Sequence, residues 1–176
     1  MSKHILITGR RGAGKSTLVR RLLAENRRPL KGFQTYRLDC EENGYHPIHI
    51  CPVGERHPVF SRDNLVGTCN SKLRNVFPQV FDTLGASYLQ ATSGDLIVMD
   101  ELGFMESDAQ VFRADVLKAL DGTIPVLAVV KDRLDIAFLN EVRAHPNVQL
   151  YTVTEDNRED VFQLLLPQIQ LLNQLL

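Results

Sequence analysis

The chain has 176 residues, 44% hydrophobic and 23% charged, with a formal net charge of -1. That length suits one domain with a continuous core, and the mix excludes disorder, collagen and coiled-coil arrays. No run reaches the ~18–20 apolar residues of a membrane span, no secretory apolar region opens the chain, and three cysteines make no disulfide framework; a single domain over 1–176 in the cytoplasm, with reduced thiols, is expected. The charge is unevenly spread, residues 1–37 holding ten Lys/Arg and one acid, Glu25. Such a segment attracts phosphate, although Arg20, Arg21, Arg27 and Arg28 read as a solvated helix face.

In chain order, His4–Thr8 is a short apolar strand, followed by a glycine-rich loop and a helix carrying Leu18, Leu22 and Leu23. Gly32–Asp39 reads as a second strand, turning at Asn43-Gly44 into an antiparallel return over Tyr45–Val53. Pro47, Pro52, Gly54 and Pro58 predict that this hairpin is an irregular, exposed edge. Leu73, Val76, Phe77, Val80, Phe81 and Leu84 have helical spacing within Ser71–Thr92, with Pro78 either a kink or the true start. Asp95–Asp100 is a buried strand. Ser107 is placed to cap a helix ending at Asp121-Gly122. A strand over Pro125–Val130, a helix over Ile136–Ala144, a strand over Val148–Val153 and a helix over Asn157–Leu176 complete the chain. Strands alternating with helices predict an α/β domain, its mainly parallel sheet covered on both faces, with an antiparallel hairpin extension at one edge.

Gly9-Arg10-Arg11-Gly12-Ala13-Gly14-Lys15-Ser16 matches G-x-x-x-x-G-K-[ST] in full, between a strand and a helix. Such a loop curls its backbone N–H groups around phosphate, and the helix that begins there adds its dipole. Lys15 supplies a point charge to the β- and γ-phosphates, and Ser16 offers a hydroxyl to Mg²⁺. Residues Gly9 to Thr17 are therefore the candidate phosphate site. Arg10 and Arg11 have two readings, contact with the γ-phosphate or projection into solvent.

Asp100 and Glu101 end the strand Leu96-Ile97-Val98-Met99. A strand-terminal Asp is where a P-loop fold holds its Mg²⁺, and an adjacent Glu is placed to deprotonate water. That favours hydrolysis over transfer. Lys131 and Arg133, after the Pro125–Val130 strand, stand where a γ-phosphate sensor or a solvated loop is expected. The guanine-reading N-K-x-D pattern, the transporter L-S-G-G-Q signature and a long Arg-studded lid are absent.

Gly9–Thr17, Gly32-Phe33-Gln34-Thr35, Asp100-Glu101-Leu102-Gly103-Phe104-Met105-Glu106 and Thr154-Glu155-Asp156-Asn157-Arg158 together resemble the successive motifs of the small nucleoside-triphosphatases of archaea and bacteria, a family that includes the human cancer-related nucleoside-triphosphatase. The resemblance spans nearly the whole chain. It implies a P-loop NTPase fold of the RecA/AAA-like branch, in which the strand after the acidic strand lies between it and the P-loop strand. It also implies hydrolysis of several nucleoside triphosphates with Mg²⁺. Two positions depart from the family pattern. Arg37 stands where an acid is usual, and Phe104 where lysine or another polar residue is common.

Asn157 and Arg158 have two readings, contact with ribose and base, with Arg158 stacking on a purine, or an N-cap beside a solvated side chain. Cys40, His46, His49, Cys51, His57 and Cys69 fit no standard zinc spacing. The leucines from Leu164 to Leu176 read as sheet packing, with a dimer seam as the alternative, so a monomer is favoured. The expected function is Mg²⁺-dependent hydrolysis of nucleoside triphosphates, catalysed by Lys15 and Glu101, with Ser16 and Asp100 holding the metal and no membrane or nucleic-acid partner. The alternatives are a nucleotide or small-molecule kinase on the same fold and a slow nucleotide-binding switch.

Overall fold

In the computed structural model, which describes residues 4–174, the apolar runs become strands hidden on both faces. These are β1 (His4–Thr8), β6 (Leu96–Leu102) and β7 (Val126–Val130). The remaining strands are β2 (Leu30–Arg37), β3 (His46–Pro52), β4 (Leu65–Cys69), β5 (Arg74–Val76) and β8 (Val148–Thr152). Helices are α1 (Lys15–Glu25), α2 (78–88), α3 (Gln110–Asp121), α4 (Ala137–Ala144) and α5 (Arg158–Gln174).

All eight strands form one sheet in the order β5-β4-β3-β2-β6-β7-β1-β8. β2, β6, β7, β1 and β8 run parallel, while β3, β4 and β5 add antiparallel. β7 lies between the acidic strand and the P-loop strand, as the family resemblance implied. α1 and α5 cover one face, packing Leu18, Leu22, Leu165 and Ile169 on Ile7, Val98 and Val129. α2, α3 and α4 cover the other, where Phe112 meets Phe33 and Phe81 at centroid distances of 5.4 and 5.3 Å. Tilted and edge-on aromatic pairs of this kind add to what their buried area contributes. Gly32 has φ +107°, and a Cβ there would overlap the Val98 carbonyl, so only glycine lets β2 press against β6.

Several expectations change. β3 is not an edge, because β4 covers it and Ile48–Cys51 are buried. Its prolines stand near the ends of the strand, where fewer ladder bonds are lost. Of the two readings of Pro78, the structure takes the second, with the helix starting there. Arg74–Val76 before it is the edge strand β5, and the chain then widens through a π turn at Phe81–Gly85. β4 had no counterpart in the reading of the sequence. Ser107 does not cap α3; its hydroxyl donates to the Phe104 carbonyl. The cap comes from α2, where Asp82 accepts from the Phe112 N–H at 3.0 Å. Arg28 is buried rather than solvated and donates to the carbonyls of Leu172 and Ser93. On α5, Leu165 and Ile169 pack on the sheet, while Leu164 and Leu171 are exposed; Leu175 and Leu176 lie outside the described residues.

His4 is buried with both ring nitrogens in use. The Val126 N–H donates to Nδ1 at 3.2 Å, so Nε2 carries the proton and faces the Leu120 carbonyl at 3.0 Å. Burial, above all, lowers its pKa from the usual 6.5. The unfolded chain therefore protonates at a higher pH than the folded one. The stability His4 contributes is complete above ~6.5 and is lost as the pH falls through the lower folded value. Urea unfolding at pH 8 and pH 5.5 should show a larger acid loss in the parent than in His4→Gln. Equal losses would remove His4 from the pH dependence.

Candidate active site

The loop after β1 is shaped by three glycines with positive φ, Gly9, Gly12 and Gly14. Gly14, at φ +88°, is the N-cap of α1, whose first turn has no acid, so its exposed N–H groups and dipole are left for an anion. Lys15 Nζ donates to the Gly9 and Arg10 carbonyls at 2.7 and 2.9 Å. This arrangement holds the ammonium across the loop mouth. Ala13 is buried, whereas Ser16 and Thr17 are exposed at the start of the helix.

β6 delivers the acids opposite. Asp100 pairs in register with Gln34 of β2 and Val129 of β7. Its carboxyl pKa is pushed up to about 6, first by burial and then by Glu101, with Lys15 opposing. Glu101 is partly open, and its carboxylate pairs with Lys131 Nζ at 3.3 Å. Thr35 bridges the two strands, donating to the Asp100 carbonyl at 3.5 Å and accepting from the Glu101 N–H at 3.4 Å.

Loop and acids share one cleft of about 830 Å³. The cleft brings together Gly9 to Gly12, Gly14 to Thr17, Asp100, Glu101, Lys131 and Arg133. Arg133 is tied up by Asp135 at 2.7 and 2.5 Å, leaving Lys131 as the ammonium facing Glu101. Neither Asn157 nor Arg158 lines the cleft. Asn157 accepts from the Thr154 N–H at 2.7 Å and donates to the Thr152 carbonyl at 3.0 Å. The Arg158 guanidinium packs on Gly14, where a Cβ would overlap it. Among the described residues, no group of three or more His, Cys, Asp or Glu could hold a metal. His49 and Cys51 instead both contact Asn64.

Two residues that line the cleft had no role in the reading of the sequence. Glu106 appeared only as the last letter of the acidic motif. It is fully buried, accepts from the Gly103 N–H at 2.8 Å and has its second oxygen unpartnered. Burial pushes its pKa up to about 7, against the Gly103 bond and Lys131. Arg74 reaches the cleft from β5, a strand hidden behind the apparent helical spacing of residues 73–84. The proline at 78 was the available signal, since a residue before proline leans to extended backbone.

A phosphate-cradling glycine loop facing a strand-terminal acidic pair defines a P-loop nucleotide-binding protein. The chain belongs to the NTPase family, whose model matches residues 4–166. It is similar to nucleoside-triphosphatase THEP1 of Thermotoga sp. (strain RQ2), 29% identical over 89% of this chain and 90% of that protein. It is also similar to the cancer-related nucleoside-triphosphatase of Homo sapiens, 28% identical over 96% of this chain and 95% of that one. The crystal structure of THEP1 from the hyperthermophile Aquifex aeolicus aligns with a TM-score of 0.71 at 25% identity, over 95% of this chain and 99% of that one.

The Asn157 amide braces the loop between β8 and α5 from both ends. Asn157→Ala should lower unfolding stability by ~1 kcal/mol, the scale of a net hydrogen bond, and leave the KM for ATP unchanged. A raised KM at unchanged stability would assign the amide to the nucleotide instead.

Proposed function

We propose that this cleft hydrolyses nucleoside triphosphates to the diphosphate and phosphate, with Lys15 binding the phosphates and Glu101 activating water. The observation that carries the reading is the shared cleft, which has both the Lys15 loop and the Asp100–Glu101 pair in its wall. The nucleoside-triphosphatase names of the similar proteins support it.

Each residue has a derivable part. The loop's N–H groups and Lys15 take the β- and γ-phosphate oxygens, and Lys15 exchanges its bonds to the Gly9 and Arg10 carbonyls for them. Ser16 and Asp100 are hard oxygen donors without a hydrogen-bonded side-chain partner among the described residues, a donor set that fits Mg²⁺. When bound there, Mg²⁺ neutralises charge shared by the β- and γ-phosphates. Glu101 accepts a proton from the attacking water, its main chain fixed by Thr35 and its carboxylate by Lys131. We assign Arg158, which packs beside Gly14, to stacking on the base, a contact that accepts any purine. Cys40, Cys51 and Cys69 are free thiols, which supports a reducing, cytoplasmic setting.

Phosphate release from ATP, GTP, CTP and UTP, with Mg²⁺ and with chelator, tests the activity and its metal dependence. Lys15→Ala should lose nearly all turnover while remaining folded; unchanged turnover would refute the phosphate loop. Glu101→Gln should bind ATP about as well as the parent and hydrolyse it at least ~10²-fold more slowly, the scale of a general base. If Asp100→Asn abolishes hydrolysis and Glu101→Gln does not, the base lies elsewhere.

A further inference from the structure

The cleft continues well past the acidic pair. Its far floor is one face of the antiparallel strands. Register pairs Arg37 with Ile48, Ile48 with Gly67, and Cys69 with Arg74, so both arginines stand on that face. The strands that carry them lie three sheet spacings apart, roughly 14 Å, within reach of two extended side chains. Between them lie Ile48 and Gly67, and the Met105 side chain packs on Gly67 where a side chain of its own would stand. The roof is the loop after β6. Phe104 in that loop lies against the Arg74 guanidinium, 4.3 Å from the ring centroid, a cation–π contact.

Near the loop, Lys131 is matched by Glu101, Lys15 awaits phosphate, and the exposed Arg10 and Arg11 have no ion pair among the described residues. In the far half, no carboxylate among the described residues comes within ion-pair distance of Arg37 or Arg74. Asp135, the acid that senses Arg74, is held by Arg133. The far half therefore carries two unmatched guanidiniums, the complement of a dianion.

Triphosphate geometry keeps this half clear of the nucleotide. Lys15 and the acids must meet the β- and γ-phosphates, so the α-phosphate and nucleoside extend away from the acidic pair. The space beyond the acids is the side from which a nucleophile approaches the γ-phosphorus. Resting on the nucleotide reading above, we propose that this far half binds a small phosphomonoester with a free hydroxyl, its phosphate held by Arg37 and Arg74. The hydroxyl then takes the place of the hydrolytic water. Its oxygen bonds to the γ-phosphorus, the bond from that phosphorus to the β,γ-bridging oxygen breaks, the nucleoside diphosphate leaves, and the hydroxyl proton passes to Glu101. The products are the diphosphate and a second phosphate ester on the acceptor.

The test uses the parent loaded with Mg²⁺ and a non-hydrolysable ATP analogue, so that the glycine loop is filled. Glycerol 3-phosphate, ribose 5-phosphate and AMP are titrated by calorimetry. At least one should bind with Kd below ~1 mM, and the Arg37→Ala/Arg74→Ala double variant should weaken it at least ~10-fold. ATP hydrolysis by that variant without acceptor should stay within about twofold of the parent. With ATP itself, phosphorus NMR should show a new ester signal on the bound probe. No binding by any probe, or undiminished binding by the double variant, overturns the site. Loss of acceptor-free hydrolysis in the double variant also overturns it, by assigning the arginines to the hydrolytic centre. Binding with release of inorganic phosphate alone overturns the transfer step. A parent that hydrolyses nothing without a probe fails the earlier reading instead, and the acceptor-free control shows that separately.

Discussion

A carboxylate that has lost nearly all its water stands at the carboxyl end of a central strand, and the site is arranged around supplying it with positive charge. Asp100 is hemmed in by β2 and β7, and burial raises its pKa to about 6 even with Lys15 across the cleft. A charge so placed is costly unless a cation meets it. The glycine loop presents the needed counterpart, an ammonium held by two carbonyls and a helix end free of acids. Sheet order makes the meeting possible. With β7 between β6 and β1, the loop and the acids emerge at the same edge, separated by one strand. Ligands bind at the carboxyl ends of open parallel sheets for this reason.

The antiparallel strands β3, β4 and β5 give the cleft its size. Without them the sheet would end at β2, and Thr35 and Gln34 would face solvent. With them the floor extends to Arg37 and Arg74, and the loop after β6 becomes a roof. Glu106 anchors that roof through the Gly103 N–H. Its second oxygen is buried without a partner among the described residues. Arg37 and Phe104 fall on this floor and roof.

Packing between elements also corrects several local signals. α3 has no side-chain cap of its own, and Asp82 supplies one from α2. Arg28 looks like a surface charge in a basic run, yet it satisfies carbonyls at the end of α5 and in the loop before β6. In both cases a polar group was recruited to backbone groups that no neighbour in sequence could reach.

The phosphate loop, the acidic pair, the α/β class and the parallel strands were legible in the amino-acid sequence because each rests on short-range physics. Glycines set φ locally, a lysine follows a turn, and doubly buried strands must be apolar throughout. What tertiary structure alone decided were the features set by partners distant in the chain. β3 was misread as an edge because its prolines are local facts, while the strand that covers it is not. Residues 73–84 showed helical spacing, but pairing with β4 claimed Arg74–Val76 as a strand. Only that pairing brings Arg74 to the cleft. Likewise, only the packing of α5 beside α1 brings Arg158 onto Gly14. Periodicity reports which residues are apolar, and hydrogen-bond and packing partners far along the chain determine where the polar ones are used.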